Sequence, residues 1–415
     1  MSRGGAPSIA RGAVGVGDTL TAAGLRTATR RLARPRISLL NAGWLCVVSA
    51  LLLSLIGVAS IATTAPEVAP RQIAFLCMGI VAAAGVAVVP YRILEYTAPA
   101  LVVIVALMLV FVLLPFVPES IVRPRNGARR WISLPLMDMQ PSELAKIAYI
   151  VALGVYLKSR RNYRRFVGVL KPLAVTFIPM ALILKEPDLG TSLLFLPTLF
   201  AMLLAAGSRI RHLVVIVAIG AATIPVLYPM LEPHQKARVT ALVSQWKGET
   251  RHLQGVGYQG AKAMTLTGAG GIDGVGLEHG RTLVDHNHLP EEHNDMIFAV
   301  ISVRWGFVGA LATWILFLGL CFGAILVAAQ TNDPFGRLVA IGIGAMLFAQ
   351  MVVNTGMTIG MLPITGMTLP FVSYGGSSLI SMWLMIGLLL SIGLRWPQHL
   401  SREARDFDHF TAETD

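Results

Sequence analysis

The stretch LPEEHNDMIFAV, residues 289–300, sets two glutamates, a histidine, an asparagine and an aspartate directly against an apolar run. Between Asp285 and Asp295 also stand His286, His288, Glu291, Glu292 and His293. Such side chains suit proton transfer or a hard cation. Their His-x-His spacing matches no familiar zinc pattern, and most of them read as a wet loop. Asp295 differs because it abuts the apolar run itself. A carboxylate at a bilayer centre costs about 2.5–3.5 kcal/mol on insertion scales, so Asp295 is expected to face an aqueous cavity or a cation.

Four further stretches carry chemistry of a related kind. In NGARRW, residues 126–131, Arg129 and Arg130 stand beside Trp131, and guanidinium forks match phosphate oxygens bidentately. In QPSELAK, residues 140–146, Pro141 suits a first helical turn and Glu143 favours the positive helix end. Lys146, three residues on, can pair with Glu143 on one face. A snorkelling ion pair and a functional intramembrane lysine both satisfy that pattern. In KEPDLGTS, Asp188 either caps the following helix or adds a carboxylate to the cavity of Lys146. In SYGGSS, residues 373–378, small residues including Ser377 permit close helix packing, and free helix amides there also attract anions.

The elements that must position these groups are membrane spans. The 415 residues are 55% hydrophobic and 13% charged, with a mean hydropathy of +0.67. Continuous rather than alternating apolar runs select helices, since lipid offers the backbone no hydrogen bonds. The expected fold is an all-α polytopic membrane protein of about ten transmembrane helices, at roughly 41–63, 72–90, 96–117, 142–157, 167–185, 189–207, 213–231, 296–327, 338–356 and 375–395. Polar loops are expected at 118–141 and 232–295, the latter a large loop between helices 7 and 8.

Charge sets the orientation. The formal net charge is +12, which in a soluble domain would suggest nucleic acid; here arginines flank membrane segments, and no nucleic acid partner is expected. Lys158, Arg160, Arg161, Arg164 and Arg165 crowd one short turn, and Arg209 and Arg211 another. Together with an arginine-studded segment at 1–36, read as a disordered cytoplasmic tail, they place both termini inside. The membrane domain is then 37–396, with a cytoplasmic C-terminal tail at 397–415 and both large loops outside. Arg123, Arg125, Arg129 and Arg130 lie outside against the charge rule, which suggests an outward anion site or contact with lipid phosphates. Cys46, Cys77 and Cys321 lie in apolar runs and spell neither disulfides nor a metal site.

The stretches NGARRWISLPLMDMQPSELAK, EPDLGTSL, LPEEHNDMIFAV and NTGMTIGMLPITGMTLPFVSYGGSS, in this order, resemble the FtsW/RodA family, also called SEDS proteins, over about residues 40–395. The N-terminal tail and NGARRW lean to the FtsW division branch, while PITGMTLPFVSYGG sits between branches. The resemblance implies a peptidoglycan glycosyltransferase in the bacterial cytoplasmic (inner) membrane, serving septal or elongation synthesis. Its substrate is lipid II, the disaccharide-pentapeptide on undecaprenyl pyrophosphate, polymerised at the outer face. An acceptor GlcNAc hydroxyl attacks C1 of lipid-linked MurNAc, and the linkage inverts. Asp295 matches the family's essential acid, either as general base or as ligand to a divalent cation such as Mg or Mn. Arg129, Arg130 and Lys146 would steady the pyrophosphates, with Glu143, Asp188 and Ser377 in the same site. Implied partners are a class B penicillin-binding protein and other divisome or elongasome membrane proteins.

Some positions depart from the family pattern. Val303 and Arg304 replace an acidic pair, Asn294 a threonine, Glu186 a glutamine, and Lys262-Ala263 a Gln-Ser. Two competing functions remain at this level. One is a flippase for the same lipid, although transporters place charges deep in several spans and these cluster at the outer rim. The other is an inactive scaffold for the penicillin-binding partner, which Arg304 best supports.

Overall fold

The computed structural model describes residues 41–125, 128–159, 166–230, 233–249 and 257–395. The N-terminal tail, the C-terminal tail at 397–415 and Arg160, Arg161, Arg164 and Arg165 lie outside the described residues.

Each of the ten expected positions is helical. The order is α1 Gly43–Thr64, α2 Ala69–Val88, α3 Ile93–Leu113, α4 Pro141–Ser159, α5 Phe166–Lys185, α6 Leu189–Leu193 with α7 Phe195–Ala206, α8 Ile210–Leu227, then α12 Ile297–Gln330, α13 Pro334–Thr358 and α14 Gly376–Leu394. Among the described residues, eight of these positions are long and apolar enough to cross a membrane. The chain is a multi-pass membrane protein. Helix α4 falls short because it carries Glu143, Lys146 and Lys158; α8 is apolar over Ile210–Thr223.

Two expectations need correction. The fold is predominantly helical as expected, but the 118–141 segment is not simply a loop. Strands β1 Val122–Arg125, β2 Ala128–Ser133 and β3 Asp138–Met139 form an antiparallel sheet in that order. Pro124 has no amide to donate, and the β1–β2 register shifts there. The 232–295 segment is mostly helical as well, with α9 Pro233–Trp246, α10 Tyr258–Ala269 and α11 Gly276–Asn287.

Packing centres on α13 and α14. Gly79 on α2 lies beneath Trp383 of α14, and Gly387 lies against the Ala83 backbone. Small residues thus let two helices approach closely without a hydrophobic drive between them. Helix α4 links the two ends of the bundle. At its C-terminal end Lys158 meets Glu95 at 2.8 Å and Asp333 at 3.6 Å, and the Tyr91 hydroxyl donates to Asp333 at 3.0 Å. Its N-terminal end, at Pro141, opens on the site described next. Cys46 is buried and Cys77 and Cys321 are free thiols.

Candidate functional site

Asp295 occupies the turn just before α12. The backbone of that turn is stitched to the 359–375 segment. The Tyr374 amide donates to His293 O at 2.9 Å, and Ser373 Oγ donates to Asn294 O. From α13, Asn354 Nδ2 donates to Asp295 O at 2.8 Å and to Met367 O at 2.6 Å. With its backbone fixed, the Asp295 side chain, 6% exposed, lines a cavity of about 990 Å³ at the Pro141 end of α4. That is the upper end of the ~300–1,000 Å³ range of ligand clefts.

The carboxylate has few partners. Gln259 Nε2 on α10 donates to Asp295 Oδ1 at 3.3 Å. Arg238 on α9 lines the same cavity and lies within electrostatic reach of Asp295, Asp188 and Arg130. Burial first, and then Glu291, push the Asp295 carboxyl up to about 7, against the opposing pull of Arg238 and Gln259. A group titrating there exchanges a proton near neutrality, as a general base requires.

Around this carboxylate the structure gathers most of the sequence-predicted residues. Glu143, Asp188, Ser377 and Arg130 line the cavity. Asp188 takes both roles expected of it, since its Oδ1 accepts from the Thr191 amide at 3.0 Å as a helix cap while Oδ2 accepts from Gln140 Nε2 at 3.2 Å. Ser377 Oγ accepts from the Gln140 amide at 3.0 Å. Lys146 lies beneath the cavity, 1% exposed, with Glu143 at 2.8 Å and Gln350 Oε1 at 3.2 Å.

Arg129 is not brought in. Its guanidinium donates to Pro115 O at 3.2 Å and to Val117 O, and it does not line the cavity. The fork of Arg130 is largely spent as well, donating to the carbonyls of Glu186 and Pro187. The cavity's available cations are Arg71, Arg123 and Arg238. Their guanidinium groups make no side-chain hydrogen bond or ion pair with another described residue. Arg238 and Gln259 were missed because both sit in a segment read as a polar loop. Val303 and Arg304 also lie outside the cavity lining. Arg304 donates to Thr63 Oγ1 at 2.7 Å and to Ala59 O on α1, and its guanidinium covers the Trp305 ring at 4.2 Å. Lys262 stands over the Tyr258 ring at 5.2 Å.

Among the described residues no three His, Cys, Asp or Glu side chains gather where they could hold one ion. Beside the Asp295 carboxylate, Gln259 and Arg238 present donors, while Glu291, within electrostatic reach, adds a carboxylate of the kind a hard dication takes as ligand.

Glu186 is the second perturbed carboxyl. It is 1% exposed, and neither carboxyl oxygen has a hydrogen-bond partner among the described residues. Burial, and then Asp188, push it up to about 8. Protonated, it resembles the glutamine that the family pattern places here. A carboxyl with a folded-state pKa raised above its unfolded value contributes less stability as pH rises through that range. Stability is lost between the ordinary glutamate value and about 8, so Glu186→Gln should melt with wild type near pH 4 and above it near pH 9; thermal unfolding in detergent measures this, and equal melting at both pH values would contradict it.

A multi-pass helical bundle with a buried carboxylate and guanidinium groups lining one cavity defines an integral membrane protein with a polar, charged cavity at one end of its helices. The chain belongs to the FtsW/RodA/SpoVE family, described as cell cycle proteins, whose sequence model matches residues 34–395. It is 34% identical over 328 residues to stage V sporulation protein E of Bacillus subtilis, covering 78% of this chain and 86% of that protein. It is 33% identical over 327 residues to the probable peptidoglycan glycosyltransferase FtsW of Coxiella burnetii, covering 78% and 85%. Among solved structures, a chain from a peptidoglycan synthase complex that coordinates polymerization and crosslinking superposes with a TM-score of 0.72 at 29% identity, covering 84% of this chain and 96% of that one. The rod shape determining protein RodA of Thermus thermophilus superposes with a TM-score of 0.62 at 28% identity, covering 84% and 95%.

Proposed function

We propose that this protein is a peptidoglycan glycosyltransferase that polymerises lipid II at the outer face of the bacterial cytoplasmic membrane. The observation that carries the reading is the Asp295 carboxyl, buried against a 990 Å³ cavity and pushed up to about 7. The outward assignment rests on charge. Arg209 and Arg211 follow α7, whose chain enters from the cavity end at Asp188, so they lie at the opposite, cytoplasmic end.

In this reading Asp295 accepts the proton of the acceptor GlcNAc hydroxyl as its oxygen attacks C1 of the lipid-linked MurNAc. The C1–O bond to undecaprenyl pyrophosphate breaks, and the linkage inverts because base and leaving group lie on opposite faces of the sugar. A positioned base contributes about 10²–10⁴-fold. Charge growing on the leaving pyrophosphate is met by Arg238, with Arg71 and Arg123 also in the cavity. Guanidinium groups suit that task because they stay charged and offer planar forks. Glu143, Asp188 and Ser377 hold the cavity wall, Lys146 neutralises Glu143, and Arg130 fixes the 186–188 turn. A divalent cation, where one takes part, is proposed to arrive with the substrate's phosphates. The proposed partner is a class B penicillin-binding protein, as a crosslinking enzyme of a division or elongation assembly.

Reconstituting the protein with lipid II tests the function. Glycan strands are expected, whereas lipid crossing the bilayer without polymerising would establish a transporter instead. The assignment of the anion site has its own test. Arg238→Ala should weaken lipid II binding by about 1.5–3 kcal/mol, the worth of a hydrogen bond to a charged group. Arg129→Ala should leave affinity near wild type. Equal losses in a binding titration of both variants would contradict this placement.

A further inference from the structure

Helix α12 is two helices spliced together. At Gly306 the backbone turns to φ 65°, ψ −158°, a conformation that residues with a Cβ scarcely adopt. The hydrogen bonds are rerouted to match. In an unbroken helix the Phe307 and Val308 amides would donate to the carbonyls of Val303 and Arg304. Here they donate to Gly271 O at 2.9 Å and Ile272 O at 3.1 Å, while Val303 O accepts from the Val275 amide at 3.0 Å. The 270–275 turn between α10 and α11 thus stands in for the missing helical turn. Gly274 completes the turn at φ 80°, and a Cβ there would collide with the Arg304 carbonyl. A Cβ on Gly306 would collide with Gly274 N and Ile272 O.

The outer piece, from Ile297 to the splice, behaves as part of the protein interior. Ile297 to Val303 are all buried, whereas Phe307 and Val308 just beyond the splice are exposed. Helix α10 runs beside this piece and touches it at both ends. At one end Gln259 donates to the Asp295 carboxylate; at the other, the turn that follows α10 is the splice itself.

We propose that the splice is a positioning element for the reaction, with Gly274 and Gly306 as its positioning residues. It fixes the half-helix that begins just after Asp295 to α10, so that the carboxylate and Gln259 are set as one unit over the cavity. This rests on the reading of Asp295 as the base. Arg304 follows from the same geometry: its carbonyl is covered by the turn and its guanidinium pins the splice to α1, a role apart from the cavity.

A matched pair of substitutions tests it. Gly276 shares the φ of 80° with Gly274 but has open space where a Cβ would stand. Gly274→Ala should lower the polymerisation rate at saturating lipid II by about tenfold or more, given that misplacement by ~1 Å can cost about 10²-fold. Its lipid II affinity should stay within about twofold, and Gly276→Ala should polymerise within about twofold of wild type. Equal rates for the two variants, or a loss of affinity in step with rate, would overturn the proposal. Hydrogen exchange on the wild-type protein provides the arm that needs no variant. The amides of Val275, Phe307 and Val308 should exchange as slowly as those inside α12, and fast exchange would also overturn it. An active Asp295→Asn protein would remove the base assignment while leaving the exchange result standing, so the two failures are distinguishable.

Discussion

Asp295→Asn should polymerise lipid II about 10²–10⁴-fold more slowly than wild type, the contribution expected of a positioned base, while still binding it. The amide keeps the shape and can still meet Gln259, but it accepts no proton. The substitution should also stabilise the fold at alkaline pH. The Asp295 carboxyl is pushed up to about 7 in the folded protein, chiefly by burial, so stability falls as pH rises from the ordinary aspartate value toward 7. Asp295→Asn should therefore melt above wild type near pH 8 and lose that advantage only as pH falls to the ordinary aspartate value of about 4. Loss of activity with a gain in alkaline stability separates a catalytic defect from misfolding. A variant that made glycan strands at the wild-type rate would reject the assignment of this residue.

Lys146→Met should be the most destabilising single change at the site. Lys146 and Glu143 form a 2.8 Å ion pair with side chains 1% and 6% exposed, and Gln350 completes the partners of the ammonium. Removing one member of a buried pair leaves an uncompensated charge, at about 3–5 kcal/mol. The double variant Glu143→Gln/Lys146→Met removes both charges, and apolar or neutral replacement of a buried pair is often near neutral. It should recover most of the lost melting temperature. Its polymerisation should stay at least about tenfold below wild type, because Glu143 also lines the cavity and holds its wall in place. Thermal unfolding and polymer yield on both variants check this. A double variant as unstable as Lys146→Met would mean that the charges are not paired as described.

Local spacing made part of this legible. The QPSELAK pattern puts Glu143 and Lys146 on one helical face, and the structure pairs them. Asp188 immediately precedes a helix and caps it. Apolar runs of span length became helices because lipid leaves the backbone no alternative. What local spacing could not carry was tertiary. Gln259 meets Asp295 from 36 positions away, and nothing in the 232–295 composition distinguishes a helix that leans over a cavity from a solvated loop. The adjacency of Arg129 and Arg130 suggests a pair, yet they are neighbours on strand β2, where successive side chains point to opposite faces. Arg130 therefore lines the cavity, and Arg129 turns to the carbonyls of Pro115 and Val117. The charge of Arg304 looked like a disturbance of the site until the splice placed it on α1.

The most direct test of the account is the pH dependence of lipid II polymerisation by the reconstituted wild-type protein at saturating substrate. A base that must be ionised to act gives a rate that rises with pH and levels off above its pKa, so the acid limb should be centred on about 7. A limb centred near the ordinary aspartate value of about 4, or a rate independent of pH across this range, would contradict Asp295 as the base.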